Sequence, residues 1–260
     1  MNFKILTDSL LDDYINEIAE SPLEKMEQID KTAIPVDYFP FYKSVSSVYS
    51  SKIEGEEIDF DSYFKHKFLK VPFQPDYTQR ADDLYAAYDF IDNHALTLEN
   101  LQKSHAILSR HLLPEDQQGL LRNNLMFVIN KDDKIEYVAA RPDVVKQELD
   151  KLFHDVNLLL NNDLNPFEVF YYASFLHLAF VKIHPFQDGN GRTARLLEKW
   201  FLIEKLGQKA AFVQLEKNYY TNLPNYYANI KKLGLEYDDL DYTKSLDFLL
   251  MTAKGIDEQK

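Results

Sequence analysis

A long apolar and aromatic-rich run extends from Pro166 to Ile183 and is interrupted by Pro185. Such a run predicts a buried helix. A proline lacks the backbone N–H and disfavours helical geometry in the residue before it, so this helix should stop at His184. Thr193 to Leu206 is rich in Ala, Leu, Glu and Lys and is followed by Gly207, which predicts a second helix with a glycine cap. The residues between the two runs are therefore predicted to form a loop at the start of the second helix.

The loop sequence, HPFQDGNGRTAR over residues 184–195, is suited to binding an anion. Two glycines flank an asparagine, which tolerates positive φ, so successive N–H groups are expected to turn inward as a nest. The dipole of the second helix adds partial positive charge there. Two arginines three residues apart share one helix face and offer planar forks to phosphate. The predicted phosphate-binding residues are Gly189, Asn190, Gly191, Arg192 and Arg195.

Two more side chains of the loop carry chemistry. His184 is a titratable base at the mouth of the loop. Asp188 supplies one hard oxygen, which suits a Mg²⁺ that bridges phosphates better than a cage built from protein alone. An alternative metal site joins His177, His184 and Asp188, but Pro185 turns the chain between them. A hydrogen-bonded core residue is the favoured interpretation of His177.

The stretch 184–195 resembles the Fic-domain signature, H-P-F-x-[D/E]-G-N-G-R-x-x-R, at every defined position. This resemblance to the Fic/Doc superfamily implies an all-α fold, a helical bundle with one β-hairpin flap. It also implies a protein adenylyltransferase, which transfers AMP from ATP to a Tyr, Ser or Thr hydroxyl of a target protein. In family terms His184 is the base, Asp188 holds Mg²⁺ and Arg195 holds the γ-phosphate of ATP.

A serine-rich stretch over residues 44–55 has a weak helical pattern. Its five serines compete for backbone hydrogen bonds, yet Val45 and Val48 recur at helical spacing and Gly55 would cap a helix that ends at Glu54. A helix this weak must be held by tertiary contacts. Because the helix dipole disfavours a carboxylate at the C-terminus, a cationic group is expected to face Glu54.

Ser50, Glu54 and Gly55 resemble the inhibitory motif of Fic proteins, [S/T]-x-x-x-E-[G/N]. The resemblance implies that Glu54 pairs with Arg195 and blocks productive seating of the γ-phosphate, within one chain. The alternative is a glutamate that ends a helix and faces solvent. We accordingly expect an N-terminal helical segment over residues 1–95, which carries the inhibitory helix at about 44–55, and a Fic catalytic core over residues 96–260.

Residues 125–139 predict a β-hairpin with a turn at 130–134. In Fic proteins this position is the flap, whose edge pairs with an extended segment of the target. The alternative is a structural hairpin without a substrate, since an unpaired edge is a liability unless it is covered or used. The predicted target-docking residues are Leu125, Met126, Phe127, Val128 and Ile129.

Tyr226 and Tyr227, followed by Ile230, resemble the closing segment of the family near the nucleotide. An aromatic face can stack on a purine, and tyrosine packing in the core is the equal alternative. The other histidines considered, at positions 94, 105 and 111, lack ligand spacing, so surface or packing roles are favoured. Pro35 and Pro40 bracket a predicted connector. Further helices are predicted at about 8–19, 21–29, 76–94, 97–113, 143–160, 216–232 with a break at Pro224, and 244–253.

Composition narrows the class of protein. The chain has 260 residues, a formal net charge of −13 and no cysteine, which argues against broad nucleic-acid binding and excludes disulfides and thiolate metal sites. No apolar run has the length of a membrane span, and acidic residues follow the first four, so a soluble, cytoplasmic protein is expected. The expected partners are ATP and a target protein, with homodimerisation left open.

Three other functions remain open at the level of sequence. One is the same fold with different chemistry: another nucleotide donor, phosphocholine or phosphoryl transfer, or removal of AMP. The second is a binding module that senses ATP without catalysis, and the complete His–Asp–Arg set argues against it because binding alone needs no base. The third is a DNA-binding regulator, which the acidic charge disfavours.

Overall fold

The computed structural model describes residues 1–29, 38–71, 75–129 and 135–256. This part of the chain is mostly helical and contains one antiparallel hairpin. The helices are α1 (Leu11–Ile18), α2 (Pro22–Ile29), α3 (Tyr38–Ile53), α4 (Phe60–Leu69), α5 (Pro75–Ile91), α6 (Leu98–Leu108), α7 (Val145–Leu160), α8 (Pro166–Ile183), α9 (Asn190–Leu206), α10 (Leu215–Thr221), α11 (Leu223–Lys231) and α12 (Leu246–Lys254). The strands are β1 (Phe127–Ile129) and β2 (Ile135–Val138).

Helix α8 lies at the centre of the bundle. It begins with a capping box, in which Asn165 accepts from the Glu168 N–H at 3.1 Å and Glu168 accepts from the Asn165 N–H at 2.8 Å. It stops where Pro185 predicts, with His184 in the left-handed region at φ 52°. Because the helix is apolar on nearly every face, it is buried between α7, α9 and α12.

Helix α3 begins earlier than the sequence predicts. We expected a connector bounded by Pro35 and Pro40 and a helix from about residue 44, but α3 starts at Tyr38 and Pro40 lies in its first turn. A proline is tolerated there because the first N–H groups of a helix have no helical acceptor. Pro35 lies outside the described residues. The serines of α3 are buried, and the helix packs against α5 and α10, which supplies the tertiary support that its sequence requires.

The C-terminus of α3 is a Schellman motif. The N–H of Gly55 bonds to the Lys52 carbonyl at 3.0 Å, and the N–H of Glu56 bonds to the Ser51 carbonyl at 3.2 Å. Gly55 has φ 88°, a conformation that favours glycine. This cap fixes the direction in which the two carboxylates around it, Glu54 and Glu56, leave the helix.

Two other helix boundaries differ from prediction. Helix α6 ends at Leu108 rather than at about Leu113, because the chain continues in turns that end before Pro114. Its predicted N-cap is correct, since Thr97 accepts from the Asn100 N–H at 3.1 Å. Helix α9 begins at Asn190, three residues before the predicted Thr193, so part of the predicted loop is the first helical turn.

The hairpin is confirmed in the described residues. Strands β1 and β2 pair antiparallel, with Phe127 opposite Val138 and Val128 opposite Tyr137. The predicted turn at 130–134 lies outside the described residues, and Leu125 and Met126 precede the strand rather than form part of it. On the side of β2 that faces away from β1, the Val138 N–H donates to the Leu235 carbonyl at 2.7 Å. Because that side is covered, the outer edge of the hairpin is the edge of β1.

The N-terminal segment packs onto the bundle. The N–H groups of Lys4, Ile5 and Leu6 bond to the carboxylate of Asp155 in α7 at 2.7–2.9 Å. The main apolar cluster takes residues from both sides of the predicted boundary at 95/96, which stays a prediction. Among the described helices, none has the length and apolar character that a bilayer crossing requires.

Candidate functional site

The loop between α8 and α9 is held by its own side chains. The Asn190 amide accepts from the Phe186 N–H at 2.9 Å and donates to the Phe186 carbonyl at 2.8 Å. Gly189 has φ 76°, whereas Asn190 is helical. The predicted nest with Asn190 at positive φ is therefore wrong: one glycine makes the turn, and the asparagine braces the loop from within. The free N–H groups at this point belong to the first turn of α9.

An acidic side chain lies in front of that first turn. A Cβ atom added to Gly191 would lie 2.5 Å from Glu54 Oε1 and 3.2 Å from Arg195 Nη1. Because real Cβ atoms do not approach other atoms so closely, glycine is needed at position 191 while Glu54 occupies this place. The carboxylate thus lies where the exposed N–H groups of a helix N-terminus would receive an anion.

Arg195 is buried and contacts α3 through several atoms. Its Nη2 donates to Glu54 Oε1 at 2.6 Å and to the Ser50 carbonyl at 3.1 Å, and its Nε donates to Ser50 Oγ at 2.8 Å. Nη1 donates to the Tyr226 hydroxyl at 3.3 Å. Arg195 is the cation that the sequence predicts opposite Glu54. Partial withdrawal from water raises the pKa of Glu54, but Arg195 and Arg192 outweigh this effect and the net pKa is lowered.

Arg192 contacts a second carboxylate that the sequence analysis missed. Its Nη2 donates to Glu56 Oε1, which Arg80 of α5 also approaches at 3.4 Å. The Arg192 Nε is buried and has no hydrogen-bond partner among the described residues. Both arginines of the loop are therefore occupied by the C-terminal end of α3, and Arg192 retains an unused donor.

His184 contacts the hairpin at the opposite end of the loop. Its Nδ1 lies 3.1 Å from the Tyr137 hydroxyl and 3.3 Å from the Val181 carbonyl. The pKa of His184 is lowered to about 4, chiefly by burial and also by the nearby Arg122 guanidinium, against the opposing effects of the Val181 carbonyl and Glu54. The imidazole is therefore neutral at ordinary cellular pH and can accept a proton.

Arg122, just before the hairpin, holds the end of α8. Its Nε donates to the His184 carbonyl at 2.6 Å, its Nη1 to the Asn124 carbonyl at 2.6 Å and its Nη2 to the Ala140 carbonyl. Its backbone N–H donates to the Pro185 carbonyl at 2.9 Å. The guanidinium thus satisfies carbonyls left free at a helix C-terminus and joins the loop to both sides of the hairpin.

Asp188 is exposed, in contrast to its neighbours in the loop. One of its oxygens accepts from the Gly189 N–H at 2.6 Å. No group of three or more acidic or histidine side chains in the described ranges could hold a metal ion. A single exposed carboxylate suits Mg²⁺ that takes its other ligands from phosphate and water, and does not suit a cage built from protein.

His105 is a packing residue, as predicted, and it also supports the loop. Its Nδ1 accepts from the Gly119 N–H at 2.9 Å, so its Nε2 carries the proton and donates to the Asp188 carbonyl at 2.9 Å. Its ring stacks on Phe186 with centroids 3.7 Å apart. Burial lowers the pKa of His105 to about 4, which keeps this arrangement neutral.

The predicted tyrosine pair is divided between core and surface. Tyr226 is buried, and its hydroxyl lies 3.0 Å from Nε2 of His177, whose Nδ1 lies 2.7 Å from Glu198. His177 is therefore a hydrogen-bonded core residue with both ring nitrogens engaged. Tyr227 is 47% exposed and donates to the Ile53 carbonyl at the end of α3 at 3.1 Å. Of the two tyrosines, Tyr227 is the exposed one.

The hairpin exposes apolar side chains along its outer strand. Leu125, Phe127 and Ile129 are 58%, 44% and 56% exposed, whereas Met126 and Val128 are half-buried. The alternation follows the two-residue period of a strand. The hairpin that carries this edge is joined to the end of α8 at His184 through Tyr137 and Arg122.

Sequence reasoning missed three contact residues, Glu56, Tyr137 and Arg122, and the support that the packing residue His105 gives to the loop. Weak signals existed for two of them. Glu56 follows the inhibitory pattern at Gly55, and Tyr137 lies in the second strand-like run of the predicted hairpin. Because Pro185 has no N–H to donate to a carbonyl of the last turn of α8, donors from elsewhere in the chain are also expected to reach the end of this helix. The sequence does not say which ones.

The chain is similar in sequence to known proteins over the part that contains the loop. Residues 95–202 match the sequence model of the Fic/DOC family. The protein adenylyltransferases Fic of Drosophila mojavensis and Nematostella vectensis are 31% and 32% identical to 42% and 40% of this chain. These stretches correspond to only 20% and 22% of the two relatives, so the chain matches about a fifth of their length.

Solved structures resemble almost the whole chain in fold. A Fic family protein from Desulfovibrio desulfuricans G20 has a TM-score of 0.78 at 18% identity, over 99% of this chain and 76% of its own. Fic-1 from C. elegans has a TM-score of 0.67 at 15% identity, over 97% and 72%. The match to the family model contains the loop at 184–195 and the hairpin, whereas α3 precedes it.

Proposed function

We propose that this chain, which carries a Fic/DOC-family domain over residues 95–202, transfers AMP from ATP to a hydroxyl group of a target protein. The observation that carries the proposal is the combination of a neutral His184 and two arginines on one loop at a helix N-terminus. A base that can take a hydroxyl proton lies beside groups that bind phosphate. The relatives named protein adenylyltransferase support AMP as the transferred group.

The proposed reaction replaces one phosphorus–oxygen bond with another. His184 takes the proton of the target hydroxyl, the hydroxyl oxygen attacks the α-phosphorus of ATP, and pyrophosphate leaves. Arg192, Arg195 and the N–H groups at the start of α9 stabilise negative charge on the phosphates as the bond to pyrophosphate breaks. The low pKa of His184 keeps the imidazole unprotonated before the attack.

Asp188 would hold Mg²⁺, which neutralises phosphate charge when it is bound. The exposed carboxylate fits this role because it leaves most coordination positions to phosphate oxygens and water. The hairpin would position the target by pairing the free β1 edge with an extended segment, so that backbone bonds place the hydroxyl without a demand on sequence. Exposed Tyr227 is the candidate for contact with the purine.

We further propose that α3 inhibits this activity within the chain. Glu54 occupies Arg195, and Glu56 occupies Arg192, so the phosphate tail of ATP competes with two carboxylates of the same chain. The Glu54 side chain is 31% exposed, so the competing ligand can reach it from solvent. Removal of Glu54 would leave Arg195 held by Ser50 and Tyr226, in place for a phosphate.

The experiment incubates the Glu54→Gly form with ATP labelled at the α-phosphate, Mg²⁺ and cell lysate, and reads label on protein. We expect labelled bands that disappear in Glu54→Gly/His184→Ala. ATP labelled at the γ-phosphate should give no label that depends on His184, because the γ-phosphate leaves with pyrophosphate and lysate kinases label both forms equally. If His184-dependent label came from the γ-position, from CDP-choline or from another nucleotide in preference to ATP, that chemistry would take the place of AMP transfer. Tight ATP binding without any product would instead support a binding module.

A further inference from the structure

The last turn of α8 has a carbonyl that its own helix cannot satisfy. The Val181 carbonyl would normally accept from the N–H of residue 185, which is a proline and has none. The Tyr137 hydroxyl lies 3.1 Å from this carbonyl and is buried with it. A buried carbonyl of this kind needs a donor, and Tyr137 supplies one from strand β2.

This contact determines where the Tyr137 proton lies. A carbonyl oxygen only accepts, so the single hydroxyl proton of Tyr137 points at Val181. The tyrosine oxygen is then an acceptor toward its other neighbour, His184 Nδ1, at 3.1 Å. The Val181 carbonyl, 3.3 Å from the same nitrogen, is also an acceptor. Both neighbours of Nδ1 therefore require a proton on Nδ1.

We infer that Tyr137 is a positioning residue that holds His184 in the Nδ1–H tautomer, with the lone pair on Nε2 directed away from the hairpin contact. A neutral imidazole carries one ring proton, so a proton on Nδ1 leaves Nε2 free to accept. The inference rests on the proposed function only for the task of Nε2, which is to take the proton of the target hydroxyl. The tautomer itself can be measured without a substrate.

Tyr137 is itself firmly placed. The Lys182 ammonium lies 4.3 Å from the centroid of its ring, and Lys182 Nζ donates to the Gly234 carbonyl at 3.2 Å. Across the hairpin, Tyr137 is paired with Val128 of β1. The orientation of the base is therefore tied to the seating of the hairpin, whose outer edge is the proposed docking edge for the target.

His105 provides an internal reference of the opposite tautomer. Its Nδ1 accepts from a backbone N–H, so its proton is on Nε2. The half-buried His184 and the buried His105 should therefore give reversed patterns of ring-nitrogen chemical shifts. In the native protein labelled with ¹⁵N, we expect His184 as Nδ1–H and His105 as Nε2–H, assigned through His184→Ala. His184 observed as Nε2–H would overturn the inference without any change to Tyr137.

The variant test uses Tyr137→Phe, which removes one oxygen atom, in the Glu54→Gly form. In Tyr137→Phe, Nδ1 keeps only the more distant acceptor, the Val181 carbonyl at 3.3 Å, so we expect the Nε2–H tautomer of His184 to become populated beside Nδ1–H. We expect kcat for AMP transfer to fall about 10-fold and KM for ATP to stay unchanged. The matched control is Tyr171→Phe, which removes the hydroxyl of a buried tyrosine that donates to the Thr7 carbonyl at 2.9 Å, far along α8. It should change neither the tautomer nor kcat.

Three outcomes would overturn the inference. The first is an unchanged tautomer in Tyr137→Phe with unchanged kcat. The second is a lower kcat with His184 still in the Nδ1–H form, because the tyrosine would then act in another way. The third is an equal fall of kcat in Tyr171→Phe, which would show that the loss of any buried tyrosine hydroxyl has this effect. Absence of any AMP transfer by the Glu54→Gly parent would refute the proposed function instead, and the ring-nitrogen spectra would still decide the tautomer.

Discussion

The two ends of the loop at 184–195 differ in what they contact. At its beginning, His184 is oriented by Tyr137 and Arg122, which come from the hairpin region and leave the imidazole neutral. At its end, Arg192 and Arg195 are occupied by Glu56 and Glu54, which directly follow α3. Under the proposed function, the first set of contacts prepares a group for reaction, whereas the second fills positions that a phosphate would need.

This difference indicates that the two ends can change separately. The hairpin contacts satisfy carbonyls that Pro185 leaves without helical donors, so they are required by the fold at all times. The α3 contacts join charges that could equally pair with a ligand. A two-state protein responds to a ligand only by the difference in its affinity for the two states. Removal of the α3 carboxylates should therefore raise activity and leave the His184 end unchanged.

The largest expected effect is at the His184 end. In the Glu54→Gly form, His184→Ala should lower the rate of AMP transfer about 100- to 10,000-fold, the usual contribution of general base catalysis. The rate is measured from incorporation of α-labelled ATP into protein. His154→Ala removes an exposed histidine of α7 and serves as the control, which should retain full activity. Retained labelling in His184→Ala would show that the proton goes elsewhere.

A smaller effect is expected at the other end from Glu56→Gln in the native background. The Glu56 carboxylate is 18% exposed and is shared between Arg192 and Arg80, so its neutralisation should favour the competent state by about 1 kcal/mol and raise transfer about 5-fold. Glu57→Gln removes a charge from the exposed neighbour and is the matched control. Equal rates for native, Glu56→Gln and Glu57→Gln would mean that Arg192 does not limit access of the nucleotide.

The smallest expected effect is the response to pH. The pKa of His184 is lowered to about 4, so the imidazole remains a competent base well below its ordinary pKa of about 6.5. Because protonation would remove the base, kcat/KM of the Glu54→Gly form should stay flat from about pH 8 to about pH 5.5. The Glu54 carboxylate raises the pKa of His184, so its removal in the Glu54→Gly form lowers that pKa further. A half-loss of kcat/KM near pH 6.5 would contradict this environment.

Much of the His184 end could be predicted from local signals. Asn165 with Pro166 marks the start of α8, and Pro185 marks its end, because caps and prolines act within a few residues. The pairing partner of Glu54 could be anticipated for another reason: a carboxylate at a helix C-terminus needs a cation. These features depend on short-range physics and on a motif whose residues lie close together.

The remainder depends on contacts between distant segments. Tyr137, Arg122 and Glu56 contact the loop only because the hairpin and the C-terminal end of α3 meet it in space. The spacing of these residues in the sequence does not predict these contacts. The start of α3 was misplaced because Pro40 was read as a breaker, although the first turn of a helix accepts proline. Asn190 was assigned positive φ because of its glycine neighbours, yet a single left-handed Gly189 was enough for the turn.

The central claim is that Glu54 and the phosphates of ATP compete for Arg195. The most direct measurement is the ratio of initial AMP-transfer rates of Glu54→Gly and the native chain, at the same Mg²⁺ and ATP concentrations. If the ion pair favours the blocked state by about 3 kcal/mol, the ratio should be about 100. A ratio near 1, with both proteins folded and both active, would contradict the claim.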